Sequence, residues 1–430
     1  MYALFYLLMA IFESLDDNIL GYILSFVRDR DKLNFISVCH KSRKLLLNRI
    51  YYDETHDYDE VKHLSYIDQI KNISFYAYDK NIPKLITHLT FAYNFNESVQ
   101  GCIPDSVKKI NFGCYFNQPI NNTIPHGITH LEFNGVFNQS IIDCIPETVI
   151  YLKFGNKFNK PILNALPKNL KYLIFGNDFS GNISGCIPNS VTHLTLGNHM
   201  YPEKDDYPKN LTHLKFGDNF NNCIEDRIPE TVTHLSFGTN FTQKLSQIPK
   251  SVTHLEISYH DILTHGPIPN HITHLKYKGI GRYTHQIYQT ILPNSITHLE
   301  FGSAFHQPIQ PDVDNNIILP KNLTSLTFGQ SFNHPINNAI PDTVKYLKFG
   351  FEFNQPLEAC LPKGLKYLEL GNSFDCCTKN CCIPSSVILK QNKKFYKHNS
   401  DNQYCGIIFI IIMMIIMCGL ILIEIDLIRY

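Results

Sequence analysis

A proline returns along this chain at an interval that few folds tolerate. It stands at Pro83, Pro104, Pro125, Pro146, Pro167, Pro188, Pro208, Pro229, Pro249, Pro269, Pro293, Pro320, Pro341, Pro362 and Pro384. The steps are 20–22 residues, apart from Pro269 to Pro293 and Pro293 to Pro320. A chain that repeats itself at this interval is not built around one closed core. Each unit is a small supersecondary element that stacks on its neighbours. The two long steps hold insertions, expected as loops on one face of the stack.

Counting each unit from its proline exposes the columns. Val, Ile or Leu stands at three (Val191, Leu211, Val232), Leu at six (Leu194, Leu214, Leu235) and Phe at eight (Phe216, Phe237, Phe301, Phe328). Gly usually follows at nine (Gly155, Gly176, Gly217, Gly238), and Phe-Asn at twelve and thirteen (Phe116-Asn117, Phe158-Asn159, Phe353-Asn354). A Pro-Ile or Pro-Leu pair often comes next, as in Pro119-Ile120 and Pro356-Leu357. Positions six to eight alternate with the period of a strand, and Gly and Asn end it with a turn. The predicted fold is a repeat solenoid, a leucine-rich-repeat-like parallel β stack. At about 4.8 Å per strand, some fourteen units give a curved rod on the order of 70 Å long.

Position five flanks the inward Leu and faces out, onto the concave strand face. It is His in eight units: His88, His130, His193, His213, His234, His254, His274 and His298. Tyr151, Tyr172, Tyr346 and Tyr367 fill it in four more. A run of titratable rings allows a pH-sensitive surface or a metal ribbon. Tyr is a poor exchange for a metal ligand, so a ladder of stacked flat rings is the expectation, with no metal. Position seven also faces out but varies: Glu132, Lys153, Thr195, Lys215, Glu256, Lys276, Glu300, Lys348, Glu369. A constant ladder beside a variable column is how a repeat protein reads a partner. The candidate binding residues are therefore His193, His213, His234, His254, His274, His298, Lys215, Glu256, Lys276 and Glu300.

Thirteen cysteines suggest a disulfide scaffold, but Cys102, Cys144, Cys186, Cys360 and Cys382 all stand two places before a repeat proline. Thr123 and Ala165 fill the same slot, which marks it as a small packing position with reduced thiols, and so a cytosolic setting. Cys376, Cys377 and Cys381 gather with Cys382 into a cluster of four thiols. They allow metal binding or acylation, although no second ligand pair stands at zinc spacing.

The Phe-Asn-x-x-Ile-Pro run, read with a short insert in Phe116 to Pro125, resembles the FNIP repeat family, which is similar to leucine-rich repeats. The resemblance covers roughly residues 61–389. It is ragged at Val61-Lys62-His63-Leu64, and it degrades after Pro384 and Val387, where the Leu-x-Phe strand is expected to be lost. Residues 11–52 read as a small helical module. Ser14 or Asp16 can cap a helix carrying Leu15, Ile19, Leu20, Ile23, Leu24 and Phe26, and the charged turn Arg28-Asp29-Arg30-Asp31 breaks it. The Ile-Leu pairs and the later Val38-Cys39…Arg43 run resemble an F-box, although Asp16 stands where that family usually has Pro and Ser42 where it usually has an aromatic. The resemblance implies docking to the small adaptor of cullin–RING ubiquitin ligases through Leu15, Ile19, Leu20, Ile23, Leu24 and Val38. Residues 53–60, rich in Asp and Glu, are expected to be an acidic linker. Proteins that put an F-box before FNIP repeats belong to amoebae and the large DNA viruses that infect them. That resemblance implies a part in redirecting host protein turnover.

Residues 404–423 carry no charge, and at 1.5 Å per residue they span about 30 Å, the thickness of a bilayer's apolar core. Lys390, Lys393, Lys394 and Lys397 precede them and only Arg429 follows, which places the repeats on the cytosolic side of a transmembrane helix. The chain has 38 basic and 38 acidic residues, so it has no electrostatic footprint for nucleic acid. There is no phosphate loop, nucleophile elbow or H-E-x-x-H. The reading is a non-enzymatic, cofactor-free, protein-binding subunit of an F-box-type ubiquitin ligase, membrane-anchored with cytosolic repeats. The alternative is a tethered interaction scaffold without a ubiquitin role.

Overall fold

The computed structural model describes residues 52–259, 266–279, 292–309, 319–337, 339–357, 360–375 and 383–391, with Tyr22, Leu24, Val27, Arg28, Asp29 and Lys32. The rest of the expected 11–52 module, the two insertions (280–291 and 310–318), the Cys376–Cys382 cluster and the 404–423 segment lie outside the described residues. Among the described residues no helix is long and apolar enough to cross a membrane.

Two units are distinguished. The first holds the described residues up to Ala92 together with Gly101–Ile110. Its strands β1 (Tyr52–Asp57), β2 (Ile70–Ala77) and β3 (His88–Phe91) pair in parallel. A four-residue helix, α1 (Tyr58–Val61), follows β1. The acidic stretch expected as a linker is therefore strand and helix. Its carboxylates face solvent while Tyr52 and Val61 turn inward. The strand is held from outside its own sequence. The Asp29 carboxylate accepts the backbone N–H groups of Asp53 (3.2 Å) and Glu54 (2.7 Å) and is itself only 1% exposed. Lys32 (2.9 Å) and His56 (3.1 Å) also bond it. These contacts hold its pKa below the usual carboxylate range although burial pushes the other way. Within the predicted charged helix-breaker, Asp29 is thus a buried anchor.

The second unit holds Tyr93–Gln100 and the described residues from Asn111 onward. β4 (Lys109–Asn111) stands at the boundary. Then come β5 (His130–Glu132), β6 (Tyr151–Lys153), β7 (Tyr172–Ile174), β8 (His193–Thr195), β9 (His213–Lys215), β10 (His234–Ser236), β11 (His254–Tyr259), β12 (His274–Gly279), β13 (His298–Phe301), β14 (Ser325–Thr327), β15 (Tyr346–Lys348), β16 (Tyr367–Leu370) and β17 (Ile388–Gln391). From β5 onward each strand pairs in parallel with the next, as expected of a parallel β-solenoid. The register sets Leu opposite Leu at position six, and Leu194, Leu214 and Leu235 are 2%, 1% and 2% exposed.

Behind the strands run two phenylalanine columns. Within a unit, the rings at eight and twelve stack closely, as in Phe237–Phe241 at 3.7 Å. Between units the rings at twelve repeat at about 6 Å, as in Phe137–Phe158 at 6.2 Å. Gly at nine lets the turns lie against one another: a Cβ on Gly217 would come 2.6 Å from the carbonyl of Gly197. Asn at thirteen does more than turn the chain. The Asn138 side-chain oxygen accepts the backbone N–H of Asn159 at 3.0 Å, and Asn117 serves Asn138 in the same way at 2.9 Å. Three places before the proline the backbone takes positive φ at Gly101, Asn122, Asp143, Asn164, Gly185, Asp226 and Gly266. In those units the conformation favours Gly, Asn and Asp.

The cysteine slot behaves as a packing position. Cys144 is buried and its thiol lies 3.1 Å from the Ile142 carbonyl, while Thr123 donates to the Asn121 carbonyl at the same distance. Burial pushes the Cys144 thiol pKa up, away from the reactive thiolate. The last strand departs from expectation. β17 is present and pairs with β16, but Ile388 and Leu389 are 59% and 44% exposed. It survives as a backbone-paired edge after losing its inward Leu-x-Phe pattern.

Candidate functional site

The outward residues of strands β8 to β13 line an open groove of roughly 510 Å³ in the second unit. All ten candidate binding residues lie on its wall: His193, His213, His234, His254, His274 and His298 in one column, Lys215, Glu256, Lys276 and Glu300 in the next. Strand alternation puts them there, since positions five and seven flank the buried Leu at six. Of the adaptor-binding candidates, Leu24 is fully buried, and Leu15, Ile19, Leu20, Ile23 and Val38 lie outside the described residues.

The ring column is a continuous stack. Successive histidines from His193 to His274 lie 3.9 Å apart with planes within 21° of parallel, and His298 follows at 4.1 Å. Tyr172 continues it from His193 at 4.2 Å, and Tyr151 from Tyr172 at 6.0 Å. Each histidine is held by the residue before it: the Nδ1 atoms of all six lie 2.9 Å from the hydroxyl of Thr192, Thr212, Thr233, Thr253, Thr273 or Thr297. These threonines at position four escaped the sequence reading, although the Thr-His-Leu triplet is plain once sought.

Close stacking has an electrostatic result. Partial burial lowers the pKa of His193, His234 and His274, and that of His213 and His254 to about 4, with neighbouring histidines adding to it. A proton on one ring would stand against its neighbours at 3.9 Å, so these rings stay neutral at pH 7. Parallel planes set the ring edges side by side rather than converging. Among the described residues no group of three or more His, Cys, Asp or Glu side chains could hold a metal ion.

The position-seven column pairs with itself across strands. Lys153 meets Glu132 at 3.0 Å, Lys276 meets Glu300 at 2.8 Å, and Lys348 meets Glu369 at 3.1 Å. β11 and β12 extend far enough to add position nine to the face. From there Lys278 reaches over β11, pairing with Glu256 and donating to the Ser236 hydroxyl at 3.2 Å. Burial, then the charge of Lys215, bring its pKa down to about 8. Among the described residues Lys215 itself has no ion-pair partner.

The FNIP repeat profile matches residues 77–115, 116–157, 158–199, 203–240, 224–260, 283–313, 314–352 and 353–388. Protein L166 of Acanthamoeba polyphaga mimivirus, named for an F-box, is 33% identical over 86 residues, 20% of this chain and 34% of its own length. Protein R636 of the same virus, named for FNIP repeats, is 28% identical over 115 residues, 23% of this chain and 29% of its own length. The chain thus spans about a third of the length of these relatives. The crystal structure of CroV588, described as a circular leucine-rich-repeat protein, is similar over 75% of this chain and 53% of that one, with 33% identity and a TM-score of 0.46.

Proposed function

The chain belongs to the FNIP repeat family, and from that membership we propose that it is a protein-binding subunit whose groove over β8 to β13 receives a target protein. The observation that carries the reading is the division of the strand face. One column is a uniform, neutral ring stack, and the column beside it varies in charge from unit to unit. A surface of that kind gives a fixed platform and a changeable code. Ser325 already stands in the ring column, so His234→Ser with His254→Ser puts in a residue that this position accepts, and its circular dichroism should match wild type. Wild type and this double variant, used as bait in host cytosol, should differ in at least one captured protein. Identical captures would remove the groove from target binding.

The second half of the proposal couples that target to ubiquitin transfer. Its support is the F-box resemblance of residues 11–52 and the F-box names of mimivirus relatives. Apolar residues such as Leu20 and Ile23 would meet the small adaptor of a cullin–RING ligase. Leu20→Asp or Ile23→Asp would put an unpaired charge into that contact and abolish co-precipitation of adaptor and cullin. A wild-type chain that brings down neither protein leaves a scaffold without a ubiquitin role. The uncharged run 404–423 supports a tethered form of either reading. The full chain should then resist carbonate extraction and a chain ending at Ser400 should not.

A further inference from the structure

The hydrogen bonds beneath the ladder bear on which edge the histidines present. The carbonyl of Thr192 already accepts two backbone N–H groups, from Thr212 and His213, each at 3.0 Å. The Thr212 carbonyl likewise accepts from Thr233 at 2.9 Å and His234 at 3.0 Å. With both lone pairs of each carbonyl engaged, the threonine hydroxyl is a poor third donor, at 3.2 Å for Thr212 and 3.3 Å for Thr233. Its better partner is the next ring, whose Nδ1 lies at 2.9 Å. A hydroxyl that donates to Nδ1 makes Nδ1 the acceptor and leaves the hydrogen of the neutral imidazole on Nε2. Among the described residues the Nε2 atoms of these six histidines make no hydrogen bond, and their rings line the groove. With that tautomer the ladder is a row of N–H donors at intervals of 3.9–4.1 Å.

The charges facing that row are unevenly matched. Lys276 is paired with Glu300, and Lys278 with Glu256. Lys215 is exposed, and its strand neighbours at position seven are Thr195 and Ser236, neither of them acidic. Glu256 pairs with Lys278, and the charge of Asp218 also acts on Lys278. We propose that the groove takes an extended, acceptor-rich segment of a partner protein, its oxygens on the Nε2–H row and an acidic side chain at Lys215 beside Ser236. The inference deepens the protein-binding reading and rests on it. A donor row with one uncompensated cation complements an acidic peptide and repels a basic one.

The test uses the full chain and labelled hexaglutamate, hexaserine and hexalysine peptides, followed by fluorescence polarisation. Hexaglutamate should bind saturably and more weakly as salt rises, hexaserine more weakly still, and hexalysine not at all. Lys215→Glu should lower hexaglutamate affinity at least tenfold, while circular dichroism stays as in wild type because the side chain is exposed. Hexaglutamate binding no tighter than hexalysine, or indifferent to Lys215→Glu, overturns the proposal. Nitrogen-15 spectra of the histidine rings give an independent measurement. The ladder rings should show protonated Nε2 and bare Nδ1 at pH 7, and the reverse assignment overturns the donor row. A target protein that needs the ladder but ignores Lys215→Glu sinks this inference alone. A target indifferent to His234→Ser with His254→Ser sinks the protein-binding reading beneath it.

Discussion

A histidine in this ladder is defined more by its neighbours than by its own chemistry. Thr212 orients His213, and His193 and His234 sandwich it. The folded pKa of His213 and His254, about 4, lies below the ordinary histidine value of 6.5, so the unfolded chain takes up protons first as pH falls. Stability from the ladder is therefore complete above about pH 6.5 and is lost progressively toward pH 4. Urea midpoints should be flat from pH 7 to 8 and fall through that window, less steeply in the His234→Ser, His254→Ser variant. The buried leucines set a different scale. Leu235→Ala should cost about 2–5 kcal/mol by urea denaturation, and a loss under about 1 kcal/mol would mean that position six does not face the core. Both columns were legible because they repeat. The Thr192–His193 bond was not, since it links adjacent residues whose orientation depends on a strand one unit away.

At the scale of the element, each turn is completed by the turn before it. The Asn138 side chain closes the backbone of Asn159, one unit on. Asn138→Ala should cost about 1 kcal/mol and speed hydrogen exchange at the Asn159 amide. Asn138→Asp should cost less, since a carboxylate oxygen can accept the same N–H. If the alanine and aspartate variants exchange alike, the side-chain oxygen is not what closes the turn. The same dependence explains where the sequence misled. Tyr52–Asp57 shows no apolar alternation, so nothing local marks β1 as a strand. Its order comes from β2 alongside and from Asp29, 24 residues upstream. β17 is the mirror case: its apolar pattern is gone, but it pairs along β16, and Lys390 to Glu369 and Gln391 to the Phe374 carbonyl help to carry the strand one step further. The solenoid between them was legible because there pattern and pairing agree.

On the scale of the whole molecule, the second unit is a column of near-identical interfaces, so its stability is a sum over neighbours. Removing residues 147–167, one full period from after Pro146 through Pro167, should leave a cooperative, folded chain of lower stability. Removing 147–156, about half a period, should unfold the strands on both sides. Circular dichroism and size-exclusion profiles would separate the two, and equal tolerance would argue against a shared register. The cross-strand ion pairs carry a further consequence. Because Lys276 leans on Glu300 one unit away, changing either alone leaves a bare charge on the face. Exchanging the two keeps the pair and reverses the order a partner meets. Where such pairs stand the face is thus spelled in couplets, and there chains that diverge to read new targets would drift by compensated swaps between adjacent units rather than by single letters.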